Sequence, residues 1–132
     1  MNIERIRPDG LVRSPAFSHV AIVPPGATTI YVGGQNSVAV DGTLIGAGDV
    51  AAQARRTLAN ATVALAAAGA TIDDVVQWTV LFVDGVDVQA AYAAIATELV
   101  APVPALVTGA RVAGLGVPGA LIEISAIAAV IR

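Results

Sequence analysis

Polar and apolar positions along the chain change period several times. Residues Ile3 to Ile6 read as a short strand, stopped by Pro8-Asp9-Gly10, a turn signal. "SHVAIVPP" reads as a second strand ending at Pro24-Pro25. "TTIYVGGQ" is a third, rich in β-branched and aromatic residues. The short Pro-Pro-Gly-Ala link predicts that the second and third strands pair as a hairpin. A further small hairpin is expected around Asp41-Gly42 in "VAVDGTLIG".

The pattern then turns helical. From Asp49 to Ala68 there is no proline or glycine. Asp49 is a helix cap whose charge suits the N-terminal dipole. Ala54, Leu58, Ala61, Leu65 and Ala68 recur at three-to-four spacing and make one apolar stripe. The polar side is expected to hold Gln53, Arg56 and Asn60, and Gly69 to stop the helix. "TIDDVV" begins with a short helical turn capped by Thr71, and "VVQWTVLFV" follows as a strong strand. A second helix is expected from about Asp87 to Val100, with Val88, Tyr92, Ile95 and Leu99 on one face. "ALVTGARVAGL" and "ALIEISAIAAV" read as the last two strands, joined by "GVPG".

Strands, helix, strand, helix, strands: this order predicts an α+β layer, a mixed sheet with two helices covering one face. One domain accounts for all 132 residues.

Composition changes the picture on one point. Hydrophobic residues make up 56% of the chain and charged residues 13%, which excludes disorder. So few charges cover the surface of a small domain poorly, so burial between subunits is expected. No apolar run reaches the roughly 18 to 20 residues of a membrane helix, and the N-terminal "MNIERIRPDG" lacks a signal-peptide pattern. A cytoplasmic location is the expectation.

Charge and residue chemistry narrow the functions. The net charge is −3, and the seven basic residues are all arginine, scattered apart from Arg55-Arg56. No basic stripe of the kind that binds nucleic acid is present. Without cysteine there is no thiol nucleophile or thiolate metal site, and the single histidine, His19, makes no metal cluster. Asp73-Asp74 precede a strand in a helical turn and read as capping and solvated charge. Trp78 and Phe82 share a strand face and read as core or interface. Glu123 stands out as a carboxylate in an otherwise apolar strand, sharing a face with Leu121, Ser125 and Ile127. On pattern alone it is either a partly wet strand face or a site.

The segments "IYVGGQ", "DVAAQARRTLANATVALAAAGATIDDVVQWTVLFVD", the helix tyrosine and "VAGLGVPGALIEISAIA" occur in one order. Together they resemble the RidA/YjgF family of reactive-intermediate (enamine/imine) deaminases, over nearly the whole chain. The resemblance implies a chorismate-mutase-like α+β subunit in a homotrimer with intersubunit clefts for a small-molecule ligand. It further implies hydrolysis of 2-imino acids or their enamines to oxo acids and ammonia, without metal or organic cofactor. A carboxylate positions or deprotonates the water, and an arginine fork holds the substrate carboxylate.

Carried over by resemblance, Glu123 matches the family's "I-E-I" glutamate, the candidate catalytic residue. The candidate ligand-binding positions are Phe17, Gly33, Gly34, Gln89 and Arg111. Phe17 stands at the family's "P-Y-S" aromatic and keeps an apolar wall without the hydroxyl. Gly33 replaces the serine of "S-G-Q", and Gln89 replaces an asparagine three residues before Tyr92. The family's "P-A-R-[ST]" arginine is missing: its place falls on Leu106 counted forward from Pro104, or on Val107 counted back from "VAGL". Arg111 is the one arginine of that strand, about 13 Å along from Val107, either a substitute anchor or a salt-bridging residue. The functional expectation is a RidA-like hydrolase of altered substrate preference. The alternative is a non-catalytic trimer of the same family that binds a small ligand or a partner.

Overall fold

The computed structural model describes residues 2–132. Strands β1 (Glu4–Ile6) and β2 (Val20–Ile22) form a small antiparallel sheet of their own. The main sheet holds β3 (Thr28–Gln35), β4 (Val75–Val83), β5 (Leu106–Val112) and β6 (Ile122–Val130), in the order β3-β6-β4-β5. β6 runs antiparallel to both neighbours and β5 runs parallel to β4. Helices α1 (Val50–Ala67) and α2 (Val88–Ile95) complete the chain, with 3-10 turns at Ile72–Asp74 and Ala96–Glu98.

The expected hairpin between the second and third strands does not form. β2 pairs with β1, and β3 pairs with β6. Pro24 and Pro25 lack the N–H groups a ladder needs there. The link between them makes a turn (Ala27 N–H to Pro24 carbonyl, 3.4 Å) that carries the chain from one sheet to the other. The smaller hairpin does form: Val38 bridges Leu44, and Asp41 Oδ1 accepts the Thr43 N–H at 2.9 Å. That main-chain hydrogen bond lowers the Asp41 pKa below its usual value.

α1 has clear boundaries. Asp49 Oδ1 accepts the Ala52 N–H at 3.0 Å. At the other end Ala70 N–H bonds the Leu65 carbonyl and Gly69 N–H the Ala66 carbonyl, with Gly69 at φ 76°. This is a Schellman stop, and the left-handed position suits glycine. Ala54, Leu58, Ala61 and Leu65 are buried as the stripe predicts, whereas Ala68 is half-buried. Gln53 is a correction: expected on the polar side, it is fully buried. Its carboxamide donates to the Gly46 and Gly119 carbonyls and accepts the Leu121 N–H at 2.8 Å. Three groups of irregular backbone and the Gln53 carboxamide thus satisfy one another at the margin of the core. α2 ends at Ile95, short of Val100, and tightens into the 3-10 turn before Pro102.

The core lies between the helices and one face of the sheet. Ile122, Ile124, Ala126 and Ala128 of β6, Trp78 of β4 and Val32 of β3 are buried against α1 and α2. The opposite face carries Tyr31 and its register partner Ile127, which are 77% and 36% exposed. No described helix is long and apolar enough to cross a membrane.

Candidate functional site

Register sorts the candidate residues onto two faces. Leu81 lies opposite Glu123 and beside Ala110, so these three share the uncovered face. Phe82 lies opposite Ile122 and beside Arg111, so Arg111 belongs to the helix face, as do Val107 and Gly109. Leu106 falls on the uncovered face, in register with Gln77.

Glu123 is half-buried and lies against the β3 backbone. The cause is a bulge: Val32 faces Ala126, but Gln35 faces Ile124, so β3 carries one extra residue between them. The bulge contains Gly33 and Gly34. A Cβ added at Gly34 would sit 2.7 Å from both Cδ and Oε2 of Glu123. Glycine is therefore what lets the carboxylate lie flat on this strand. No such contact exists at Gly33, where a Cβ would meet open space.

The other face holds a cavity of 570 Å³ between α2 and strands β4 and β5. It exists because α2 leans on α1 instead of lying flat on those strands. Small residues, Ala91 on α2 and Gly109 on β5, widen it. Phe17, Gln89 and Val107 line it, together with Trp78, Phe82 and Tyr92. Trp78 is nearly buried, while Gln89 and Tyr92 are exposed at the surface end of α2.

Phe17 is held edge-on by His19, with ring centroids 5.4 Å apart and planes at 85°. His19 Nε2 bonds the Val12 carbonyl at 2.7 Å, and Ser18 ties the segment to β5 through the Pro104 carbonyl (Oγ, 2.6 Å). His19 thus supports a cavity wall. Asp74 accepts the Thr71 N–H at 2.8 Å and caps its helical turn. Arg111 Nη1 bonds the Val86 carbonyl at 3.2 Å, just ahead of α2, and its side chain is outside the cavity lining.

Within one chain, then, Phe17, Gln89, Val107 and Arg111 are together on the helix side, and Gly34 and Glu123 are together on the other. Alternation places Glu123 correctly on its face from sequence. The cavity was not legible, since it depends on how far α2 stands from the sheet. The small residues Ala91 and Gly109 were the available signal.

A mixed sheet with two helices on one face, and with Glu123 of β6 lying against the glycine bulge of β3 on the other, defines a chorismate-mutase-like α+β domain. The chain belongs to the family described as Endoribonuclease L-PSP, whose model matches residues 12–130, the RidA/YjgF family. A Rid-family protein of unknown function, YyfB from Yersinia pestis, is 31% identical, with a TM-score of 0.85 over 98% of this chain and 100% of that one. The YjgF gene product of E. coli is 36% identical, with a TM-score of 0.66 over 80% of this chain and 83% of that one. RidA from the Antarctic bacterium Psychrobacter sp. is 26% identical, with a TM-score of 0.69 over 88% and 94%. No curated protein matches the chain.

Proposed function

We propose that this protein hydrolyses reactive imines or enamines to carbonyl compounds and ammonia, at sites shared between the subunits of a homotrimer. The observation that carries this reading is the division of the site across the sheet. Glu123 and the Gly34 cradle lie on one face, and the cavity with Phe17 and Gln89 lies beneath the other. A second copy, docking its Glu123 face at the first copy's cavity mouth, completes the constellation. The exposed pair Tyr31 and Ile127 supports such docking, since it is apolar surface on a face that no helix covers.

The chemistry asked of the chain is small. Glu123 takes a proton from water as the water oxygen bonds to the imine carbon, and passes that proton to the nitrogen, giving the neutral carbinolamine. The carbinolamine then collapses: its hydroxyl proton passes through Glu123 to the nitrogen, the C–N bond breaks, and ammonia leaves. Gln89 supplies an amide for the nitrogen or the nascent hydroxyl, and the apolar walls exclude bulk water.

The test is an amino-acid or amine oxidase that generates imines in situ, with semicarbazide trapping what escapes hydrolysis. The purified trimer is expected to reduce trapping, and Glu123→Gln to abolish the effect. Unchanged trapping across a broad imine panel, with an intact trimer, would sink the reading.

A specific observation favours a second reading, a non-catalytic binding trimer. The place of the family arginine falls on Leu106 or on Val107, neither of which can hold a carboxylate, so the usual anchor is gone. That reading predicts ligand binding with no turnover. Ribonuclease action has weaker support: the chain has no lysine, and Arg5, Arg7, Arg111 and Arg132 are engaged with main-chain carbonyls of their own fold.

A further inference from the structure

We infer that the cavity selects neutral, apolar-bodied imines that carry no carboxylate; this rests on the hydrolase reading and names its substrate class. No Asp, Glu, Lys, Arg or His lines the cavity among the described residues. Its polar side chains are Gln89, Tyr92 and Trp78, and its deep end is Leu58, Ile95 and Ile124. An ionised carboxylate placed there would lose much of its water and gain no cationic partner from the lining, which is unfavourable. Val107, level with Trp78 on β5, presents a methyl surface in the anchor region. Arg111 is on the correct face, but two residues beyond Gly109, with Nη1 held by the Val86 carbonyl.

Size agrees with this assignment. A volume of 570 Å³ admits an aryl or branched alkyl group and falls in the ordinary range for small-molecule sites. Space at Gly109 adds to it, where a Cβ would find its nearest neighbour, the Val80 carbonyl oxygen, 3.9 Å away. The reaction is unchanged: water adds across R–CH=NH, and RCHO and NH₃ leave.

Matched substrates test the class. Phenylalanine with an amino-acid oxidase, and 2-phenylethylamine with a flavin amine oxidase, give imines of one apolar body that differ in the carboxylate. The neutral imine is expected to show kcat/KM higher by about tenfold or more. Val107→Arg is expected to reverse the preference, and Gly109→Val to impair the phenylethyl imine more than that of ethylamine. Calorimetry gives a readout apart from turnover: phenylacetone should bind more tightly than phenylpyruvate. Equal or better use of the phenylalanine imine, with phenylpyruvate binding at least as tightly, overturns the class while leaving the hydrolase reading intact. Selective phenylacetone binding without hydrolysis of either imine supports the class and overturns the hydrolase reading.

Discussion

Glu123 and Arg111 project from opposite faces of the same sheet, because Leu81 and Phe82, adjacent on β4, are their respective register partners. Arg111 therefore cannot meet this glutamate within a single chain. In the proposed trimer the two would approach one another only around the rim between copies.

Complementation follows from that division. Glu123→Gln removes the proposed base, and Gly109→Phe fills the proposed cavity, so each variant alone should be inactive. Unfolding and refolding an equimolar mixture should restore activity to about a quarter of the sites, if copies assemble at random into a ring. Activity is read by imine trapping. An inactive mixture, with mixed trimers seen by native mass spectrometry, would rule out a site shared between copies.

Gly34→Ala should damage the reaction while sparing the fold. The new methyl would compete for the volume occupied by the Glu123 carboxyl, 2.7 Å away. The side chain must swing off β3, with a loss of about 10- to 100-fold in kcat/KM. Circular dichroism and trimer mass should be unchanged. Gly33→Ala, which meets nothing, is the matched control for the clash.

Gln53→Ala should act on stability. It leaves the Gly119 carbonyl and the Leu121 N–H, next to the start of β6, without a partner, whereas the Gly46 carbonyl keeps the Asp49 N–H at 2.9 Å. Each orphaned group costs roughly 1 to 3 kcal/mol, so a loss of about 2 kcal/mol or more is expected in urea denaturation. A loss under about 1 kcal/mol would mean that water replaces the carboxamide.

Ile127→Asp should break assembly without unfolding the chain. Ile127 is 36% exposed on the uncovered face beside Tyr31. A carboxylate there penalises any docked copy. Sedimentation should show smaller species and retained secondary structure.

Much of this arrangement is legible in sequence, for identifiable reasons. Asp49 and Gly69 bound α1 because caps are local chemistry. Glu123 falls on its face because strand alternation has a period of two. The β2–β3 hairpin was misread because a turn reverses the chain without choosing its partner; β3 instead lies against the small side chains Ala126 and Ala128 of β6. Gln53 was misread because its partners lie near residues 46 and 120, distant in sequence from the helix. The cavity depends on helix-to-sheet spacing, which no local pattern encodes.

The gap beneath α2 also bears on how such a protein can diverge. The residues proposed to decide which molecule fits, Val107, Gly109 and Ala91, line the cavity on the helix side, whereas Gly34 and Glu123 lie on the other face. On the proposed function, modest exchanges among them would retune selectivity while leaving the Glu123 carboxylate in its place on the opposite face.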